Sequence, residues 1–518
     1  MPNPIRTDLH TVDSSSFPYV YEQNATVALK SSDGLVRCNV YRPHGSGPDA
    51  RVPVLVTYGP YGKDAYYGDQ SRTQVHHSAW ETPDPGFWTN HGYAVVRADE
   101  RGIGQSRGLL DTMSRGTSEA FFEVVEWCAE QPWSSGKVGL LGISYYAGSQ
   151  WRVAARKPKG LAAMIPWEGM SDYYRDRCRH GGILSNNFIK FWWNRQVVSN
   201  QYGRPRDEEI LVIKDLVGDG PKRPKSSPES LEGNLSAEER EQNRRDQTVD
   251  NQLYRFRDEE YYASKEYDLG DIDVPLLSVA NWGGILLHLR GNMEGYAHAG
   301  SAQKWLRVIT GRHDLPFYYK EEVEVQRSFL DAFLKAEDRD GWTTGKAHGN
   351  RVAHRADGVD EILPHAGKAT HPRSGASPKR QPTPPKAHVR GARHAGKPQL
   401  VQFQTEPFEA ETEVTGNIVA HLLVSATPQP DGPTPSEIDL FLTLRHISAE
   451  GKEVFYTGTA GDAVPLTKGW LRVSLRKVAT THPKHREAPS KLQGFNHICF
   501  GPDRMNYITL PVIPPKAE

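Results

Sequence analysis

Along the first 340 or so residues, apolar positions gather into short unbroken runs separated by longer stretches with helical spacing. The runs lie at 52–57, 92–99, 137–143, 161–167, 274–279 and 305–310. A strand wetted on one face alternates apolar and polar residues, whereas these runs do not, so they predict strands buried on both faces. Between them, 117–131, 149–156 and 321–335 carry apolar residues at helical spacing. Strand and helix in alternation predict an α/β fold with a mostly parallel, helix-covered sheet. Upstream, 24–41 reads as a hairpin turning at Ser31-Ser32-Asp33-Gly34. The alternation breaks from 171 to 267, where Phe188, Phe191, Trp192 and Trp193 mark aromatic helices followed by a charged run. This region is predicted to be a helical cap with a solvated polar segment inside it. From 399 onward short strands between Gly/Pro turns predict an all-β sandwich or jelly roll.

Composition narrows the picture by exclusion. The chain has 518 residues, enough for two or three domains. Lys plus Arg and Asp plus Glu number 63 each, so no global charge draws the chain to nucleic acid or to an anionic membrane. The N-terminal residues lack an apolar signal core, and no run is long enough to span a membrane. The four cysteines are scattered, with neither metal-type spacing nor a disulfide framework. A cytoplasmic, reducing setting is the expectation. One segment stands apart: 346–398 holds eleven Lys or Arg, three acids and six of the twenty His, with frequent Pro, Gly and Ala. It has too few large apolar residues to form a core, so disorder is expected. The expected organisation is 1–345, 346–398 and 399–518.

The candidate chemistry centres on Gly142-Ile143-Ser144-Tyr145. An apolar strand runs into a Gly-x-Ser turn and a helix follows, which is the pattern of a nucleophile elbow. Tyr146 stands where that pattern has its second glycine, and the small residue comes at Ala147. A serine hydroxyl is a poor nucleophile near neutral pH and needs a base. His313, in the loop after a late strand, is the candidate base, against the plainer reading of a surface-loop histidine. An imidazole base needs a carboxylate to fix its tautomer. Asp314 is adjacent to His313 in sequence and badly placed for that role. Glu168 directly follows the strand after the elbow helix and keeps the order serine, acid, histidine. Its alternatives are a cap-anchoring or a substrate-binding glutamate. By elbow geometry the Tyr145 N–H is one donor for an oxyanion. The pairs His180/His288 and Asp99/Arg101 read as structural, bracing core or loops.

The chain resembles the cocaine-esterase and X-prolyl dipeptidyl aminopeptidase family of serine hydrolases. The resemblance rests on Gly59-Pro60-Tyr61, on Asp99-x-Arg101-Gly102-x-Gly104-x-Ser106-x-Gly108, on Glu126-Trp127, and on Gln131-Pro132-Trp133. Gly142-Ile143-Ser144-Tyr145, Asn281-Trp282, Arg290-Gly291 and Gly311-x-His313 continue it, in order, over roughly 25–340. It implies an α/β-hydrolase domain with a helical cap, a C-terminal jelly roll, and hydrolysis of an ester or amide bond, X-Pro dipeptides among them. It also implies the Tyr61 hydroxyl as a second oxyanion donor; a packed loop aromatic is the plainer reading of Tyr61. No cofactor or metal is implied. The expected partner is a small ester, amide or short peptide, with no nucleic acid or membrane; self-association is left open. The family's triad aspartate normally follows the Trp of a Gly-Trp-x-Asp motif, which here reads Asn281-Trp282-Gly283-Gly284. That loss motivates a rival expectation, a non-catalytic hydrolase-like binding protein. The resemblance also fails abruptly across 346–398 and thins between Arg476 and Phe495. Such a break between matching stretches is the pattern of a shifted reading frame, which sequencing the transcript across codons 340–400 tests.

Overall fold

The computed structural model describes residues 9–32, 34–65, 76–204, 235–344 and 435–475, with short pieces at 402–405, 424, 432–433, 496–499 and 507–510. Its centre is a nine-stranded sheet. In chain order the strands are β1 (Thr11–Asp13), β2 (Val20–Ala28), β3 (Leu35–Arg42), β4 (Val52–Gly59), β5 (Ala94–Asp99) and β6 (Ser134–Ile143). β7 (Leu161–Trp167), β8 (Leu276–Asn281) and β9 (Lys304–Ile309) complete it. Across the sheet the order is β1-β2-β3-β5-β4-β6-β7-β8-β9. The first hairpin and the β3–β5 pair are antiparallel, and every pair from β5 onward is parallel.

The unbroken apolar runs have the expected cause. Neighbouring residues on one strand enter cores on opposite faces: Val54 and Val56 one, Leu55 the other; Leu140 one, Leu141 the other. Leu276 and Leu277 divide in the same way. Helices α1 (Arg115–Glu130) and α2 (Tyr145–Ala154) cover the first face through Phe121, Val124, Val125 and Trp151. On the second face lies α4 (Lys320–Leu330), contributing Phe329 and Leu330. Between β8 and β9, α3 (Leu289–His298) sets Gly295 against Trp151 of α2, where a Cβ would meet the indole at 2.5 Å. Burial of this kind stabilises by about 25 cal/mol per Å² of apolar surface removed from water.

The strand-to-helix turn at Ser144 depends on the missing side chain of Gly142. A Cβ there would sit 2.7 Å from the Cβ of Tyr146 and 3.2 Å from Thr57 Cγ2. Neither contact belongs to the free end of a flexible chain, so β6 and α2 would have to part. Gly142→Ala is expected to cost about 1–3 kcal/mol of stability, read as a lower urea midpoint with an unchanged m-value. Ala147, the small residue one place beyond the pattern's second glycine, fits closely: its methyl lies against Gly169, at 2.6 Å from where a Cβ on that glycine would stand.

The cap region contains short helical turns at Tyr173–Cys178, Asn187–Trp192, Ala237–Gln242 and Gln247–Leu253. Most of the polar segment expected inside it lies outside the described residues. So do 346–398 and most of the β region expected between 399 and 434. The C-terminal part is β in character, as expected: β10 (Asp439–Leu444) and β11 (Thr467–Arg472) pair antiparallel, and Leu440, Leu442, Leu471 and Val473 share a small core. The jelly-roll order rests largely on residues outside the described set.

Candidate active site

Chemistry-bearing side chains collect where an α/β sheet is open, at the carboxyl ends of its parallel strands. Tyr61 follows β4, Ser144 follows β6, Glu168 follows β7, Asn281 ends β8 and His313 follows β9. The backbone at several of them is strained. Ser144 has φ 62° and ψ −116°, with its N–H held by the carbonyl of Trp167 at 3.0 Å. Glu168 has φ 50° and Glu81 φ 62°, so three of the eight described non-glycine residues with positive φ belong to this one site. Such strain persists only where the surroundings over-determine it, and it gathers at functional sites.

The carboxylate–imidazole pair expected from the sequence is formed. His313 Nδ1 donates to Glu168 Oε2 at 2.7 Å, and Glu168 is fully buried. Asn281 fixes the other carboxylate oxygen: its Nδ2 donates to Glu168 Oε1 at 3.0 Å and to the Gly311 carbonyl at 2.8 Å. One amide thus ties the acid to the loop that carries the histidine. Asp314, passed over in the sequence, pairs instead with Arg312 at 3.4 Å.

Two neighbours were not foreseen. His313 Nε2 donates to Glu81 Oε1 at 3.1 Å, so the imidazole lies between two carboxylates. Burial alone would push the imidazole down, but Glu168 and Glu81 outweigh it and hold His313 well above the usual histidine range. Burial raises Glu81 itself, opposed by its bond to His313. The second neighbour is His288, read from the sequence as a structural group. Its Nε2 lies 3.2 Å from Ser144 Oγ, and its ring stacks on His313 with centroids 5.1 Å apart and planes 6° from parallel. Burial first, and the charge on His313 next, keep His288 well below the usual range. In its neutral form the imidazole can accept from the serine at Nε2 when the proton sits on Nδ1, a buried atom with no described partner. His180 is structural as expected: Nε2 donates to the Asp176 carbonyl at 2.8 Å and the ring stacks on Trp470. Asp99 braces the first loop through the Lys63 N–H rather than through Arg101.

Tyr61 stands over the elbow, edge-on to Tyr145 and Tyr146 at 6.2 and 5.5 Å. Its oxygen accepts from the Trp192 indole at 3.0 Å, which leaves the hydroxyl proton for another acceptor. Burial, then the charge of Glu81, push Tyr61 well up, so the hydroxyl stays protonated. Tyr145 begins α2, and its hydroxyl accepts from the Met113 N–H at 2.9 Å and bonds Glu100, a carboxyl that burial raises to about 8. The side chain is thereby anchored away from Ser144, while its backbone N–H remains at the elbow.

The C-terminal part braces these loops. The His313 N–H donates to the Thr459 carbonyl at 3.0 Å, and the Trp282 indole donates to the Leu466 carbonyl at 3.2 Å. Gly283 packs so closely on Thr457 that a Cβ would come within 2.0 Å of its carbonyl. Among the described residues no cluster of His, Cys, Asp or Glu is arranged to hold a metal ion, and no helix is long and apolar enough to cross a membrane.

A serine on a strained strand-to-helix turn, on a helix-covered and mostly parallel sheet with a carboxylate–imidazole pair on later strand ends, defines the α/β-hydrolase fold. Within that class the chain belongs to the X-Pro dipeptidyl-peptidase (S15) family, whose profile matches residues 33–314. The profile of the X-Pro dipeptidyl-peptidase C-terminal non-catalytic domain matches 335–514. A cocaine esterase from Rhodococcus is 29% identical over 211 residues, 38% of this chain and 34% of that protein. An Xaa-Pro dipeptidyl-peptidase from Lactobacillus delbrueckii is 25% identical over 209 residues, 29% of this chain and 26% of that one. The match thus spans about a third or less of these curated relatives. Among solved structures, a CocE/NonD family hydrolase from Staphylococcus aureus superposes with a TM-score of 0.66 at 27% identity, over 91% of this chain and 79% of that one.

Proposed function

We propose that the chain is a serine hydrolase that opens an ester or amide bond through an acyl-enzyme on Ser144. The observation that carries this reading is the strained Ser144 in hydrogen-bond contact with one imidazole and beside a second that a buried carboxylate orients. Ser144 attacks the carbonyl carbon. The tetrahedral oxyanion is met by the Tyr145 N–H and the Tyr61 hydroxyl, and each such donor is worth about 10²–10³ in rate.

The base must carry a positive charge in the transition state, and here the two imidazoles differ. His313 has Glu168 at Nδ1 to stabilise that charge. Among the described residues His288 has no carboxylate partner and an unpartnered Nδ1, and its neighbour is cationic, so charging it is penalised three times over. On this argument His313 is the base once its Nε2 leaves Glu81, Glu168 is its acid, and His288 aims the serine hydroxyl. The 3.2 Å contact to Ser144 favours a second reading in which His288 itself takes the proton. Fluorophosphonate labelling separates them. Ser144→Ala is expected to abolish labelling, His313→Ala to lower its rate by about 10³-fold or more, and His288→Ala to lower it by about tenfold. Loss of labelling in His288→Ala with retention in His313→Ala hands the base to His288. A folded wild type that never labels gives way to the ligand-binding, non-catalytic alternative.

The proposed substrates are small esters, amides or short peptides. A reducing, cytoplasmic setting is supported by three buried unpaired thiols, Cys38, Cys128 and Cys178.

A further inference from the structure

Around the turn Tyr173–Cys178 three arginines pair with acids, Arg290 of α3 among them, while Arg179 donates to the Asn251 and Tyr254 carbonyls. Arg175 meets Asp172 at 3.1 Å, Arg257 meets Glu266, and Arg290 meets Asp176 at 2.6 Å. Arg177 lies in that same turn and is 3% exposed, more deeply buried than a lone cation should be. Among the described residues it forms no ion pair. Of the five N–H donors on a guanidinium, its Nη2 reaches Gln247 Oε1 at 3.3 Å, an oxygen already shared with the Thr112 and Tyr173 hydroxyls. Its Nε meets no acceptor at all. Removing a charge from water without a counter-charge is costly, so the position calls for an anion that the described fold does not supply.

The place is equally specific. The Arg177 guanidinium lies 4.0 Å above the Trp192 ring. That ring donates to the Tyr61 hydroxyl and stacks on Tyr145, the residue next to Ser144. Arg177 is also near enough to His288 for its charge to help keep that imidazole neutral. A guanidinium at this place, with Nε unpartnered and a planar fork of donors, matches the two oxygens of a carboxylate.

Resting on the hydrolase reading above, we infer that Arg177 receives a carboxylate of the substrate, so that the preferred ester or amide is an anionic one. The test compares p-nitrophenyl hydrogen adipate with p-nitrophenyl hexanoate, two acyl chains of equal length differing in a terminal carboxylate. The wild type is expected to favour the adipate half-ester by about 10- to 100-fold in kcat/KM. Arg177→Gln is expected to erase that preference, with kcat/KM for the adipate half-ester falling far more than that for the hexanoate, and Arg177→Lys to retain part of it. A wild type that favours the hexanoate, or an Arg177→Gln protein that keeps the preference, overturns the inference. Should Arg177→Gln fail to fold, competition by free adipate against hexanoate hydrolysis in the wild type and in Arg177→Lys decides, and absence of competition in the wild type is the adverse result. If neither ester is cleaved and Ser144 does not label, the hydrolase reading is what fails. Calorimetric titration of the same proteins with adipate then still reports on Arg177, because binding to the wild type and not to Arg177→Gln needs no turnover.

Discussion

Glu168→Gln is expected to lower kcat by about 10³–10⁴-fold with little change in the thermal midpoint. Glu168 accepts two hydrogen bonds from side chains, from His313 Nδ1 and from Asn281 Nδ2. A glutamine has one acceptor oxygen, so one of these donors must face its NH₂ group. If the oxygen turns to Asn281, His313 is pressed toward the tautomer that points a lone pair at the amide and a proton at the serine, the wrong state for a base. If it turns to His313, the amide of Asn281 is repelled, and the tie between acid and histidine loop is lost. The volume barely changes, so the fold should hold and the damage should appear in turnover. Steady-state hydrolysis of a p-nitrophenyl ester, with a thermal melt of the same sample, reads both; a kcat within tenfold of wild type would remove Glu168 from the mechanism.

Glu81→Gln is expected to do the opposite near neutral pH, raising kcat/KM by up to about tenfold. His313 is held above the ordinary histidine range because its protonated ring faces two carboxylates. A base must start unprotonated. Hence kcat/KM of the wild type should climb with pH and level off only on the alkaline side of an ordinary histidine. Removing one of the two carboxylates lowers the proton affinity of the ring, moves that climb to lower pH, and leaves more of the enzyme competent at neutrality. It also frees Nε2 to turn to Ser144. A pH–rate profile of both proteins checks this. If kcat/KM is already level through the neutral range and Glu81→Gln leaves it in place, the proton goes to His288, which burial holds well below the usual histidine range.

Much of this architecture is legible in the amino-acid sequence because it is written locally. The run at 161–167 is a strand over those same residues, and the helix expected at 117–131 begins only two residues early. The elbow is legible for the same reason: Gly142 and Ser144 sit beside the strand and helix that give them meaning. Glu168 is legible by chain order, since it follows a strand end next to the elbow strand. The rest is not local. Glu81 reaches His313 across 232 residues, from a stretch before Asp84 whose composition marks nothing. Asn281 was visible only as the start of a motif that had lost its aspartate, and its use of Glu168 is a contact between two strand ends. His288 was visible and underread: one histidine at the head of a helix has the same pattern whether it braces a core or faces a nucleophile. Only the crossing of β8 beside β7 decides between them.

The contacts between the C-terminal part and the histidine loop have a thermodynamic corollary. His313 is anchored at its backbone by Thr459, and the loop after β8 by Thr457 and Leu466. If seating of that C-terminal stretch helps set the distance between His313 and its two carboxylates, then seating and proton affinity are linked functions, and linkage runs both ways. A molecule that grips the C-terminal strands, though it never nears Ser144, changes the pH at which the imidazole discharges. Equally, charging or discharging that imidazole alters how firmly the C-terminal strands are held. The segment whose family profile is described as non-catalytic is, in this sense, a buffer for the proton on which catalysis would turn.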